Sequence, residues 1–409
     1  MSDAAAFADT GDAAGARLLA EIVDPASRPD PYPLYAKLRE RPVWQDADGA
    51  YVIGRHEDVV SLLRDPRLSS DPANSARGGA ALSFLNMDPP EHDRLRRMVM
   101  RHFGPPKNAG RVEGMTPTLE SMVRDLIDRL AGRSEIDIVA EISSPFPGRV
   151  IADLLGVPRE DEPRFCAWAE AIAQGNDSDP RESGRRSEGA ERAFQQLARY
   201  LSRLIAARRG SPRDDMLSLL TNADGPDGPM RPDEIIQVSA LLLLAGHETT
   251  VNLISNGMLT LLRFPKILQR LRDEPGLAPS LVEELLRYEP PVHIVFRGTL
   301  CDLEVGGVRI PGGSPVQLML ASANRDPSRF ENADQFLPDR RNNQHLGFGG
   351  GIHGCFGAAL ARLEGQIALR ELARRLVSPR LLQEPPPYRF NPTLRGPREL
   401  RIAIDGVAE

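Results

Sequence analysis

Between Pro232 and about Arg263 runs a stretch of ~32 residues with helical periodicity and a centre that is apolar almost all round. Pro232 suits the first turn of a helix, and Phe264-Pro265 ends it. At 1.5 Å per residue such a helix reaches ~48 Å, enough to cross a whole domain. A helix without a polar face is buried. The fold therefore has to be built around this one.

The flanking sequence agrees. Helical patterns cover Pro31 to Arg41, His56 to Arg64, the basic stretch Glu91 to Phe103, and everything from about 112 to 220. A polar, breaker-rich insertion, Gly175 to Glu188, interrupts the last of these. It reads equally as a surface loop or as the tip of a lid. Residues 66 to 90, rich in Pro, Ser, Gly and Asp, read as a loop. Further helices are expected over Ser280 to Tyr288 and Ala358 to about Val377. Strand patterns are few: Ala50 to Arg55, Val292 to Ala321 with turns at Gly306-Gly307 and Pro311-Gly312-Gly313, and Tyr388 to Ile404. The expected fold is mainly α with a minor β-lobe. It is expected as a single domain over residues 1–409, the β-rich lobe drawing on about 30–65, 290–325 and 385–405.

Bulk properties narrow the function. The net charge of −6 argues against a general nucleic-acid binder, which must neutralise phosphates. Val238 to Gly246, the longest markedly apolar run, is too short to span a bilayer, which needs ~20 residues. The first 22 residues lack the basic and apolar regions of a signal peptide. Three widely spaced cysteines, Cys166, Cys301 and Cys355, without a Cys-x-x-Cys, suit neither a disulfide framework nor a four-cysteine zinc site. A soluble, cytoplasmic protein is expected.

For Cys166 and Cys301 burial as inert thiols is the expectation. Cys355 differs because of its surroundings, LGFGGGIHGCFGAALAR over residues 346–362. Gly349-x-Gly351-x-x-Gly354 matches a dinucleotide fingerprint, but no apolar strand precedes it and too little chain follows for a nucleotide-binding sheet. The glycines let backbone approach a flat ligand closely and aim amides at the sulfur. The helix start behind Cys355 favours a thiolate. A thiolate on iron pushes electron density that favours O–O cleavage, and hydrogen bonds to the sulfur tune it.

Phe348-x-x-Gly351-x-x-x-Cys355-x-Gly357 resembles the haem-binding signature of the cytochrome P-450 family. By that resemblance Cys355 is the axial ligand of the iron of haem b, iron protoporphyrin IX. In the long helix, Ala245-Gly246-His247-Glu248-Thr249-Thr250 places an acid and hydroxyls where burial makes them costly unless they are useful. Gly246 is expected to leave room for something bulky against the helix. This segment is similar to the family's oxygen-activation motif. The similarity makes Thr249 the keeper of the hydrogen-bond network at the oxygen site and Glu248 a proton relay, and gives His247 no role.

Ser280-x-x-Glu283 reads as a capping box, and Glu284 shares a helix face with Arg287. Glu284-x-x-Arg287 matches the family's ion pair, and Phe336-x-Pro338-x-Arg340 the segment that supplies a second arginine. Together they imply a structural network. Buried haem carboxylates need cationic partners, and His92, Arg96, Arg297 and His353 match the family positions that bind them. Arg94, Arg97 and Arg101 remain as solvated groups or as a docking patch for an acidic ferredoxin. For the substrate pocket the resemblance suggests Leu82, Phe84, Leu244, Ala245, Val292, Ile294, Val295 and Leu394.

The implied activity is that of a monooxygenase. It inserts one atom of O2 into an apolar small molecule, such as a macrolide, terpenoid, steroid or aromatic peptide of secondary metabolism. The chain carries no flavin or iron–sulfur motif, so a separate ferredoxin and its reductase are the expected electron donors. A monomer without nucleic-acid or membrane partners is expected. Oxidative coupling or desaturation uses the same residues. Peroxide-driven oxidation fits less well with Glu248 and Thr249 intact. A nicotinamide dehydrogenase rests on the glycine coincidence alone.

Overall fold

The computed structural model describes residues 13–74, 83–103, 109–177, 188–222 and 228–409. The long helix spans Pro232–Arg263, as its pattern predicts. The Arg231 amide donates to Glu234 at 2.8 Å, and Asp233 and Glu234 place negative charge at the positive end of the helix dipole. Helices Pro145–Leu155, Glu162–Asn176, Glu188–Gly210 and Ala358–Arg375 pack around it. Its side chains Ile235, Val238, Leu243, Val251, Ile254, Met258 and Leu261 sit in the largest hydrophobic core. It is the one helix among the described residues long and apolar enough to cross a membrane. The share of its apolar window buried inside the protein is 78%, which marks it as a core helix.

A five-stranded sheet flanks this helical body. Its order is Trp44–Gln45, Tyr51–Ile53, Pro315–Met319, Ile294–Thr299, Leu68–Ser69. Strand 51–53 runs parallel to 315–319, with Tyr51 opposite Val316. Strand 294–299 runs antiparallel to 315–319, with Arg297 opposite Val316. The hairpin Leu303–Val305 with Val308–Ile310 turns on Gly306-Gly307, both at positive φ (55° and 82°), as a two-residue turn of this hand requires.

Several expectations are corrected. The region from 112 to 220 is not helical throughout. Glu135–Asp137 forms the edge strand of a three-stranded sheet, pairing with Arg401–Ala403. Only Ile136 of the three is buried, a pattern too short to read in advance. The segment 66–90 holds a strand, Leu68–Ser69, paired to Gly298 and Thr299. Of the tail, 401–403 is a strand, while Tyr388 and Leu394 make isolated bridges to Pro397 and Val292. The C-terminal helix stops at Arg375, because Leu376–Val377 pairs with Gly406–Val407. Helix Ala278–Tyr288 starts two residues ahead of Ser280. Ser280 is therefore no cap, and its hydroxyl donates to the Leu277 carbonyl at 3.2 Å. Most of the polar insertion, residues 178–187, lies outside the described residues.

Candidate active site: a cavity between the cysteine loop and the long helix

A cavity of about 420 Å³ lies between the cysteine loop and the long helix. Cys355 lines it on one side with Gly347 to Gly350, His353 and Phe356; Leu244, Ala245, Thr249, Thr250 and Leu253 line it on the other. Strand 294–299 and the turn at Thr393 and Leu394 close the wall. Of the expected pocket residues, Phe84, Leu244, Ala245, Val292, Ile294, Val295 and Leu394 are present in this lining. Leu82 lies outside the described residues.

The cysteine loop is folded on itself. The Cys355 amide donates to Phe348 O at 2.9 Å, and the Gly349 amide to Leu346 O at 2.8 Å. Gly351 has φ +64°, and a Cβ there would stand 2.0 Å from the Leu63 carbonyl oxygen. No side chain fits. Cys355 is exposed and lines the cavity. Burial raises the thiol pKa, against a hydrogen bond from the Gly357 amide and the charges of Arg96 and Arg362. A metal cation at the sulfur would favour the thiolate against that burial.

The donors around the cavity call for an anion. His92 is buried, with Nδ1 2.7 Å from Asp93 and Nε2 without a hydrogen-bond partner. Its ring centroid lies 4.4 Å from that of His353. Arg96 donates to the Gly354 carbonyl at 2.6 Å and Arg297 to the Phe296 carbonyl at 2.7 Å. Burial pulls Arg297 down to about 10, with Asp88 acting against it. Burial, then the charges of Arg297 and His92, push His353 down to about 3. Of the nearby acids, Asp93 bonds His92 Nδ1, and Asp88 bonds Ser69, the Ser70 amide and Asn74. Two half-buried guanidiniums on the lining with Cys355, and the orphaned nitrogen of His92, which is buried off the lining and stacked near His353, fit a flat dianionic group that carries a metal.

On the long helix the Thr249 hydroxyl lines the cavity and donates to the Ala245 carbonyl at 2.6 Å, one turn back. Glu248 is buried off the cavity lining, with Oε1 unpartnered. Burial lifts its carboxyl to about 7, Arg389 pulling down and Asp177 pushing up. The room that Gly246 leaves against the helix is taken by Ile151, 3.1 Å from a Cβ built there. His247 ties the helix to the Ser144 carbonyl through Nε2 at 3.0 Å.

Below the loop, Glu284 and Arg287 are fully buried and joined at 2.8 and 2.9 Å. Arg340 reaches both Glu284 oxygens at 3.1 Å, and the Leu337 amide and Asn343 complete the shell. Arg287 also donates to the carbonyls of Asn324, Ala333 and Gln335. One clamp escaped the sequence reading because Glu283 passed for a capping residue. Glu283 accepts from His345 at 3.1 Å and from Arg362 at 2.6 Å, the two flanks of the cysteine loop. Arg362 also lies over the Phe348 ring, 4.5 Å from its centroid. Arg94 is removed from the expected docking patch by Glu91 and Glu234. Cys301 is exposed, contrary to expectation, and Cys166 is half-buried, its thiol pushed up to about 12 by burial.

A helical body with smaller sheets, a cysteine loop and a buried helix across one cavity define a haem-thiolate oxidoreductase, and the chain belongs to the cytochrome P-450 family. The family model, described as Cytochrome P-450, matches residues 43–390. Cytochrome P-450 107B1 of Saccharopolyspora erythraea is 39% identical, over 93% of this chain and 96% of its own. 6-Deoxyerythronolide B hydroxylase of the same organism is 35% identical, over 92% and 96%. Among solved structures, the cytochrome P-450 PksS of the Bacillus subtilis bacillaene polyketide synthase superposes with a TM-score of 0.85 at 32% identity, covering 94% of this chain and 99% of that one. Haem b is the cofactor, and the protein is a bacterial-type monooxygenase.

Proposed function

We propose that this enzyme inserts one oxygen atom of O2 into a bulky apolar natural product, with electrons from a separate ferredoxin and its reductase. The observation that carries this reading is the cavity. Cys355 of the cysteine loop and Thr249 of the long helix line the same cavity, and the remaining lining is mostly apolar. Haem, once bound, supplies the reduction and cleavage of dioxygen. Cys355 holds its iron, and His92, Arg96, Arg297 and His353 hold its carboxylates. Thr249 keeps a hydroxyl at the oxygen site, and Glu248 hands it protons. Leu244, Ala245, Val292, Ile294, Val295, Leu394 and Phe84 shape the substrate space, and the relative named for 6-deoxyerythronolide B favours a polyketide-sized occupant.

The test begins with the reduced, carbon monoxide-treated protein. Cys355→Ser is expected to abolish the thiolate-type Soret band while haem binding persists in part; an unchanged spectrum overturns the ligand assignment. Screening apolar natural products for the spin-state shift on binding then identifies the substrate class. Failure of every polyketide, with a shift on small polar molecules alone, overturns the substrate reading.

A further inference from the structure

Away from the active cavity, helices Glu162–Asn176 and Glu188–Gly210 pack against each other and leave an open groove of about 800 Å³. Arg164 lines it from the first helix, and Gln196, Ala198, Arg199, Ser202 and Arg203 line it from the second. None of these residues lines the active cavity. Among the described residues no carboxylate lines the groove. Of the acids just before Arg164, Asp161 accepts from the Tyr200 hydroxyl at 2.9 Å and Glu162 from Arg149 at 2.8 Å.

The donors of this groove are held in place. Trp168 is buried, and its indole N–H, which can only donate, reaches Gln196 Oε1 at 2.8 Å. The donor end of the Gln196 amide is therefore the end left for a ligand. The Arg164 guanidinium lies over the same indole, 4.7 Å from the ring centroid. Arg199 and Arg203 stand one turn apart on one helix face, where like charges destabilise a helix. Both are exposed, and neither has an ion pair among the described residues. On the same helix Arg192 is matched by Glu188 at 3.3 Å and Arg208 by Asp215 at 2.5 Å. Three guanidiniums, an amide and a hydroxyl thus offer hydrogen atoms to one groove, a set that suits carboxylates or phosphates. The groove is far larger than a single phosphate. Ala198 is the one apolar side chain in its described lining, so it offers no anchor for a lipid surface. Two guanidiniums one turn apart match carboxylates one turn apart on a partner helix.

We propose that this groove is a docking surface for an acidic helix of a second protein, distinct from the electron donor. The probe is a dye-labelled helical peptide with a glutamate at every fourth position, titrated with the holoprotein at low ionic strength and followed by fluorescence anisotropy. Arg199→Gln combined with Arg203→Gln is expected to weaken binding by about tenfold. Trp168→Phe leaves the charge unaltered but releases Gln196 and Arg164, and is expected to weaken it by about threefold. Arg97→Gln combined with Arg101→Gln changes the net charge as much as the groove pair does, and is expected to leave the affinity in place. Soret and circular dichroism spectra like those of the wild type show that each variant is folded. No binding by the wild-type protein, or the same loss in both arginine pairs, overturns the proposal. Full displacement of the peptide by inorganic pyrophosphate at equal concentration overturns it in favour of a small-anion site. Capture of the protein by anionic phospholipid vesicles, lost in the groove pair and not reversed by the peptide, overturns it in favour of a membrane surface.

Discussion

Thr249, a lining residue of the cavity, spends its hydroxyl hydrogen on the carbonyl of Ala245, which leaves the oxygen free to accept. Such an oxygen orders donors and protons next to the oxygen site without adding charge. Thr249→Ala removes it and is expected to cut product per electron by on the order of tenfold or more, with the electrons recovered as hydrogen peroxide. Thr249→Ser restores most of the yield. Yield at the wild-type level in Thr249→Ala refutes the role. At this scale the sequence was informative wherever chemistry contradicts burial: an acid and hydroxyls inside an apolar helix, a cysteine among glycines. It was silent where a residue's partner comes from elsewhere. Gly246 faces Ile151, a contact between helices, and the groups around Glu248 come from residues 177 and 389. Neither partner is visible in the local pattern.

On helix Ala278–Tyr288, two adjacent glutamates hold different parts of the same loop region. Glu284 is fully buried among Arg287, Arg340, Asn343 and the Leu337 amide. Its loss strands two guanidiniums in the interior, which typically costs about 3–5 kcal/mol. Glu284→Ala is expected to yield haem-free or insoluble protein, measured as the ratio of Soret to protein absorbance; stable, fully loaded protein contradicts it. Glu283 works through its ionisation. Burial acts to raise its carboxyl, but the bonds from His345 and Arg362 outweigh burial and hold it down to about 2. A carboxyl depressed in the folded state contributes fully above its ordinary value of 4.5 and loses that contribution as pH falls toward 2. Haem retention is therefore expected to fall with acid across that window, and Glu283→Gln to be already weakened near neutrality with a flatter acid dependence. Parallel acid curves for the two proteins dismiss the clamp. Spacing made the Glu284–Arg287 pair legible, whereas the Glu283 clamp was hidden by an equally good local reading.

The largest corrections arise where distant segments meet. Strand 135–137 exists because 401–403 pairs with it, and strand 68–69 because 298–299 does. Strand 51–53 lies parallel to 315–319 in one sheet. Arg395 fastens the tail to the Arg28 and Pro29 carbonyls at 2.7 and 2.9 Å and pairs with Glu289. Periodicity within a window cannot report such pairings, which is why the helical body was easier to read than the sheets. The same connections have an energetic consequence. Residues from 63 to 96, from the long helix, from 286 to 297, from the cysteine loop and from 393–394 all converge on one cavity, so no segment can leave without opening it. Haem release and loss of helix in the holoprotein are therefore expected in one thermal transition, followed together by the Soret band and far-ultraviolet circular dichroism. Arg395→Ala leaves Glu289 short of a buried partner and should destabilise by about 3 kcal/mol. Because Arg395 lies outside the cavity lining, a local effect would move the circular dichroism midpoint and leave the Soret midpoint in place. Equal displacement of both is the expected outcome, and two separated transitions would show instead that the sheets and the helical body unfold independently.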